Sequence, residues 1–171
     1  MKNFYTRCIQ TPLGMMQAIA DEHALYFLEF TDQKDFEKQK SNCIQQGSLI
    51  EDVQDHVILN QVEKELGLYF TGRLQQFTVP IVFSGTDFQK QTWSALQTII
   101  CGTTLSYQQL AHAVYLSNGH RAVANANSKN KIVIIVPCHR VIMSDGSLGG
   151  YAGGVQKKEW LIAHEKTIAD Q

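Results

Sequence analysis

The sequence predicts an α/β (α+β) protein in two parts: an N-terminal antiparallel sheet with a helix, then a mostly helical C-terminal domain. Three observations predict it. Short β-leaning runs separated by turn residues fill positions 1–30. The charge balance then changes sign along the chain. Residues 1–83 hold 7 Lys and Arg against 11 Asp and Glu, whereas residues 84–171 hold 8 against 5. Beyond the change, apolar residues recur at helical spacing, and a β-branched run leads into Pro137-Cys138-His139-Arg140-Val141. The parts are expected at 1–83 and 84–171.

In the first part, Phe4 to Ile9, Met15 to Ala20 and Leu25 to Phe30 read as strands of a meander. Thr11-Pro12-Leu13-Gly14 and Asp21-Glu22-His23 supply the turns. Residues 31–50 are polar with little periodicity and read as a loop or a weak helix. Val62, Leu66 and Tyr69 form a helical stripe within Val57 to Phe70, with Asp52 or Asp55 as cap and Thr71-Gly72 as stop. Val79 to Phe83 is an extended connection.

In the second part, Asp87 is expected to cap a helix carrying Phe88, Trp93, Leu96 and Ile100, stopped by Cys101-Gly102. Ser106-Tyr107-Gln108-Gln109 matches a capping box opening a helix through about Tyr115. After the turn Ser117-Asn118-Gly119, Arg121 to Asn127 is a short third helix. Ile132 to Val136 is all β-branched and reads as a buried strand. Asp145-Gly146 is a hairpin turn signal, Gly149 to Gly154 a glycine-rich loop, and Val155 to His164 a closing helix with Glu165 just beyond it.

Composition narrows the function classes. Hydrophobic content of 44% and charged content of 18% are globular values. No secretory signal and no apolar run of membrane-spanning length stand out, so a cytoplasmic protein without membrane contact is expected. The cysteines at 8, 43, 101 and 138 form no C-x-x-C pair, which fits free thiols and argues against a metal site. No acidic residue stands between Asp87 and Asp145, a stretch carrying Lys90, Arg121, Lys129, Lys131 and Arg140. A polyanion meets no like charge there; a polar surface is the plainer reading.

Two patterns carry chemistry. Tyr107–Tyr115 and Arg121–Asn127, joined by a Gly-containing turn, have the layout of a helix-turn-helix. The second helix is small-faced and starts with a cation, which suits close approach to a nucleic-acid surface; alanine-rich helices are also ordinary core elements. The other pattern is Cys138 beside His139. A thiol is a strong nucleophile only as thiolate, so an adjacent base marks acyl transfer, redox work or alkyl transfer. Side chains of neighbouring residues diverge on an extended backbone, so a bridging water is needed, with Glu165 as the group orienting the imidazole.

The blocks together resemble one family. Pro137-Cys138-His139-Arg140-Val141 looks like the acceptor-cysteine motif of the methylated-DNA–protein-cysteine methyltransferases, constitutive bacterial type. Gly85-Thr86-Asp87-Phe88-Gln89, Trp93-Ser94-Ala95-Leu96, Ser106 to Ala111, Arg121-Ala122-Val123, Asn130, Tyr151-Ala152-Gly153-Gly154, Lys158 to Leu161 and His164-Glu165 follow the family's order. The resemblance is strong over about residues 84–166. It implies a ribonuclease H-like N-terminal domain and a winged-helix-like C-terminal one. It also implies single-turnover repair of 6-O-alkylguanine, and of 4-O-methylthymine, in duplex DNA, by a monomer without cofactor.

The resemblance assigns roles as follows. Cys138 is nucleophile and methyl acceptor, His139 its base through water, and Glu165 the orienter. Asn130 organises the active-site turn; Tyr107 rotates the nucleotide and protonates the leaving oxygen. Arg121 fills the gap in the base stack while Ala122, Ala124 and Ala126 face the minor groove. Tyr151 and Ala152 wall the pocket, and carbonyls of Cys138 and Val141 read the guanine edge. Lys131, Ala124 and Ile100 stand where the family often has proline, glycine and proline. From the residues alone, two other classes stay open: a cysteine hydrolase using Cys138, His139 and Glu165, and a DNA-damage sensor without transfer.

Overall fold

The computed structural model describes residues 1–45, 47–51 and 53–171. It forms two compact units, Met1–Ser84 and Gly85–Gln171.

In the first unit, β1 (Lys2–Thr11), β2 (Gly14–Ala20) and β3 (Leu25–Phe30) form the expected antiparallel meander. Then come α1 (Phe36–Cys43), β4 (Gly47–Ile50) and α2 (Val57–Phe70). The sheet order is β3-β2-β1-β4, and β4 lies parallel to β1 with Phe4 opposite Leu49. The polar stretch 31–50 thus supplies a helix and an edge strand. The strand was illegible because only alternate residues of β4 are half-buried.

β2 is buried on consecutive positions from Met16 to Ala20, so both its faces are covered. On one face Phe36 of α1 meets Phe4, Ile19 and Phe27. α2 packs on β1 and β2, with Leu59, Val62, Leu66 and Tyr69 turned inward at helical spacing. Its cap is His56, whose Nδ1 accepts from the Leu59 N–H at 3.3 Å. Asp55 instead accepts from Asn60, and Asp52 lies outside the described residues.

The second unit holds α3 (Asp87–Leu96), β5 (Leu105–Ser106), α4 (Tyr107–Ala113), α5 (His120–Ser128), a single 3-10 turn (Cys138–Arg140), β6 (Val141–Ile142) and α6 (Val155–Ala169). Thr86, not Asp87, caps α3, in a capping box with Gln89; Ser106 and Gln109 form the same box on α4. α3 stops at Leu96, before Cys101-Gly102, and α4 stops at Ala113. The α4–α5 turn passes through Tyr115 at φ +61°, with Leu116 N–H bonded back to Ala111 O at 2.9 Å. That is a left-handed helix terminator usually filled by glycine. A Cβ on the buried Gly119 would sit 2.2 Å from Leu116, so the start of α5 needs glycine there.

Ile132 to Val136 is not a strand. Ile135 N–H bonds to Val133 O at 2.9 Å, a γ-turn centred on Ile134 at φ +73°. Cys138 N–H bonds to Val136 O at 2.8 Å, a second γ-turn centred on Pro137 at φ −83°, ψ +64°. The run is buried throughout, as its composition demands, but it folds back on itself rather than extending. β propensity is overruled here because side-chain and turn bonds take the amide and carbonyl groups a ladder would need.

Candidate active site and nucleic-acid interface

Asn130 holds this doubled turn. Its Oδ1 accepts from Ile132 N–H at 3.0 Å, and its Nδ2 donates to Val136 O at 2.8 Å. Both sides of the loop are therefore tied to one buried amide, and Cys138 emerges from the end of it. A β-branched residue at positive φ is strained, so the buried surroundings must impose the conformation.

Behind the thiol lies a buried charge relay. His139 is fully buried, and its Nε2 meets Glu165 Oε1 at 2.6 Å. Glu165 is not beyond the last helix: α6 continues to Ala169 and carries it inward at 1% exposure. Arg140 grips the same carboxylate, Nε to Oε2 at 2.8 Å and NH2 to Oε1 at 3.0 Å, and donates to Ile99 O at 2.5 Å. Arg140 is thus buried and withdrawn from any polyanion-facing surface, contrary to its place in the acid-free stretch.

Burial alone would raise the Glu165 carboxyl, but His139 and Arg140 outweigh it and hold the group well below the carboxylate range. Burial pushes the His139 imidazole down despite Glu165. At neutral pH the ring is neutral and Arg140 answers the charge of Glu165. With Nε2–H pointed at the carboxylate, Nδ1 is left as an acceptor, and it has no hydrogen-bond partner among the described residues.

Cys138 opens into a cavity of about 270 Å³. Tyr107, Ala124, Asn127, Asn130, Tyr151 and Ala152 are among its walls. Val141 is buried in β6, paired with β5, and is not a wall residue. An outer groove of about 700 Å³ shares Tyr107, Ala124 and Gly150 with the cavity and adds His120 and Arg121. Arg121 and Ala122 are exposed on α5 and Ala124 is half-buried. Ala126 is not on that face: it is 2% exposed and its carbonyl accepts from Trp93 Nε1 at 2.9 Å. A nine-residue helix packed on α3 and α4 presents only part of its circumference, so the minor-groove role that the resemblance implied for Ala126 does not fit its place.

Three functional groups escaped the sequence reading. Arg140 is one. Lys158 is another: it is fully buried on the first turns of α6, donates to Gly150 O at 3.1 Å, and stands 5.8 Å from the Tyr107 ring centre. Burial pushes its pKa down to about 8, while the charge at Cys138 pulls the other way. A buried ammonium is costly unless something answers it, and here a thiolate would. The third is Asn127, on the inner side of α5, whose Nδ2 donates to Cys138 O at 3.3 Å. The mixed Lys157-Lys158 pair gave no sign of which lysine turns inward; only the helix phase decides it.

Among the described residues no three His, Cys, Asp or Glu side chains cluster as a metal site would require. Cys101 is buried, and its thiol is pushed up by burial first and by Glu165 second.

Comparison with known proteins agrees with this layout across both units. Residues 4–83 match the ribonuclease-like domain of 6-O-methylguanine DNA methyltransferase, and residues 87–167 match its DNA binding domain. The chain belongs to the 6-O-methylguanine DNA methyltransferase family. It is 38% identical over 160 residues to the methylated-DNA–protein-cysteine methyltransferase of Shigella flexneri, covering 92% of each chain. It is 37% identical over 162 residues to that of Methanosarcina barkeri, covering 95% of this chain and 97% of the relative. Mycobacterium tuberculosis OGT, solved in complex with DNA, superposes with a TM-score of 0.83 at 33% identity, covering 96% and 94% of the two chains. The family's ribonuclease-like and DNA-binding halves are therefore both present, as the resemblance implied.

Proposed function

We propose that this protein repairs 6-O-alkylguanine, and 4-O-methylthymine as a second substrate, in duplex DNA by moving the alkyl group irreversibly to Cys138. The observation that carries this reading is the buried thiol at the floor of a one-base cavity, backed by the His139–Glu165–Arg140 relay. The target oxygen is inaccessible inside a stacked duplex, so the base must leave the helix. Exposed Arg121 at the start of α5 suits the gap so created, and Ala122 and Ala124 suit close approach to the minor groove.

His139 Nδ1 takes the thiol proton through a bridging water, and Lys158 stabilises the thiolate. The sulfur forms its bond to the alkyl carbon as the carbon–oxygen bond breaks. The departing electron pair goes to the guanine, which Tyr107 protonates; the phenol regains the proton first taken from Cys138. The products are a thioether and an intact guanine, with no cofactor consumed and the protein spent. Cys138 O and Val141 O remain the groups we assign to the guanine edge, and Tyr151 and Ala152 the cavity wall. The protein acts as a cytoplasmic monomer on alkylated DNA.

The test is intact-protein mass after incubation with a duplex carrying one 6-O-methylguanine. One methyl per chain, mapped to Cys138 and absent from Cys138→Ala, is expected. Binding without mass gain would mean a damage sensor, and repeated turnover of an ester without DNA a hydrolase.

A further inference from the structure

Asp145 has no role so far, although it lines the outer groove and ends the acid-free stretch that begins after Asp87. The turn that carries it is closed at both levels. Met143 N–H bonds to Ser147 O at 2.9 Å and Gly146 N–H to Met143 O at 3.0 Å, with Gly146 at φ +88°. This is a tight loop with glycine at its left-handed position, as the Asp145-Gly146 pair predicts. Inside it, Asp145 Oδ1 accepts from the Ser147 N–H at 2.9 Å and from the Ser147 hydroxyl at 2.6 Å. Both bonds fall on Oδ1, so the carboxylate is held in place and Oδ2 is left for a donor from outside. The Ser147 hydroxyl first, and its amide second, hold the carboxyl below its ordinary pKa; ionised at neutral pH, it can only accept. Position follows from the ladder beneath. β5 and β6 are parallel with Ser106 opposite Ile142, so Tyr107 of α4 and Met143 leave it at the same end. The exposed turn therefore lines the same groove as Arg121 and Ala124 of α5.

We infer that Asp145 determines sequence context: its Oδ2 accepts from the 2-amino group of a guanine next to the lesion, on the minor-groove side of the duplex. In the minor groove every base pair offers acceptors, and the guanine 2-amino group is the one donor. A fixed, acceptor-only carboxylate set against an A·T pair faces adenine N3 or thymine O2 and loses water without gaining a bond. Set against G·C it takes a charge-assisted hydrogen bond. Asp145 lines the groove but not the cavity that holds Cys138, so the guanine it reads is a neighbour of the flipped base and not that base itself. This rests on the reading of the groove beside Arg121 as the minor-groove face in alkyl transfer.

The experiment measures the second-order rate of methyl transfer to the full-length protein from 6-O-methylguanine duplexes that differ only in the pairs flanking the lesion. G·C, inosine·C, A·T and 2,6-diaminopurine·T are placed in turn on each side. Inosine is guanine without the 2-amino group, and 2,6-diaminopurine is adenine with it. A misread base pair costs about fivefold or more, so on one side G·C and diaminopurine·T should outpace inosine·C and A·T by that factor. Inosine·C also pairs more weakly than G·C, which would ease flipping, so a slower rate there cannot come from duplex stability. Asp145→Asn keeps an oxygen for the Ser147 bonds and puts a donor where Oδ2 stood, so the order should vanish or reverse in favour of A·T. Asp145→Ser, which lacks the second oxygen, should abolish the order and serves if the first variant misfolds. Equal wild-type rates on all flanks, an order that survives both variants, or a gain on every flank alike in Asp145→Asn (simple relief of phosphate repulsion) would overturn the inference alone. No methyl gain from any duplex would overturn the alkyl-transfer reading and the inference with it.

Discussion

The two units bury carboxylates in opposite ways. In the N-terminal unit, Glu65 accepts from the Thr78 and Val79 amides at 3.1 and 3.2 Å and from the Thr78 hydroxyl. Asp21 accepts from His23 and Ala24 N–H at 2.8 Å each, and pairs with Lys2 at 2.9 Å. These acids close turns. In the C-terminal unit, Glu165 faces the side chains of His139 and Arg140. Backbone donors cannot be displaced by chemistry, whereas a charged side-chain cluster changes with protonation state. The first arrangement fixes a shape and the second stores a proton-dependent energy beside a nucleophile.

Removing each acid should break that contrast open. Glu165→Ala strands a buried guanidinium and leaves His139 without its orienter. It should cost about 3–5 kcal/mol in urea unfolding and abolish transfer. Glu65→Ala leaves amide donors in a part-buried turn and should cost roughly 1–3 kcal/mol, with transfer rate intact in the folded fraction. Equal losses from the two would erase the distinction.

Lys158→Met tests whether the buried cation serves the fold or the thiol. A buried charge with a single carbonyl partner gains little stability, so the melting temperature should hold or rise. Transfer should slow at least about tenfold, and the pH at which iodoacetamide reacts with Cys138 should move upward, as expected when a thiolate loses its cation. A lower melting temperature with an unchanged pH profile would make Lys158 structural.

Protonation should act on both units. Burial first, and Arg7 second, lower the His56 pKa; His139 is lowered by burial. Groups depressed in the folded state bind protons more readily when unfolded. Their contribution is complete above the ordinary histidine value of about 6.5 and is lost as pH falls through the folded values. His56 loses its cap on α2 when Nδ1 is protonated. His56→Asn keeps a capping side chain that does not titrate, so it should flatten the urea midpoint between pH 5 and 7 without removing the His139 share. A profile identical to wild type would show that the cap is not what titrates.

The smallest effect concerns strain. Tyr115 is 92% exposed and sits at positive φ, so Tyr115→Gly should raise unfolding stability by about 1 kcal/mol. Ile134 has the same sign of φ at 1% exposure, and Ile134→Gly should destabilise because the lost packing outweighs the relieved strain.

Where local signals and burial agreed, the sequence was legible. The meander, the α2 stripe and the Ser106 capping box each follow from periodicity and turn chemistry over a few residues. The thiol, imidazole and carboxylate were legible as residue types, and Asn130 and Arg121 through resemblance to a family. What failed was phase and direction. Ile132 to Val136 has the composition of a strand, yet one distant-facing amide, Asn130, bends it into two γ-turns. Ala126 shares the composition of Ala122 and Ala124 but faces the core under Trp93.

By itself, then, the sequence determined which reactive groups the chain carries, because a nucleophile, a base and capping signals are properties of residue type and short spacing. Only the tertiary structure decided how that chemistry is poised. Bringing Glu165 and Lys158 of α6 to Cys138, and turning Arg140 inward as the partner of Glu165, depends on helix phase and on contacts across long stretches of chain. No local propensity encodes that geometry; burial and the need to satisfy each buried charge select it.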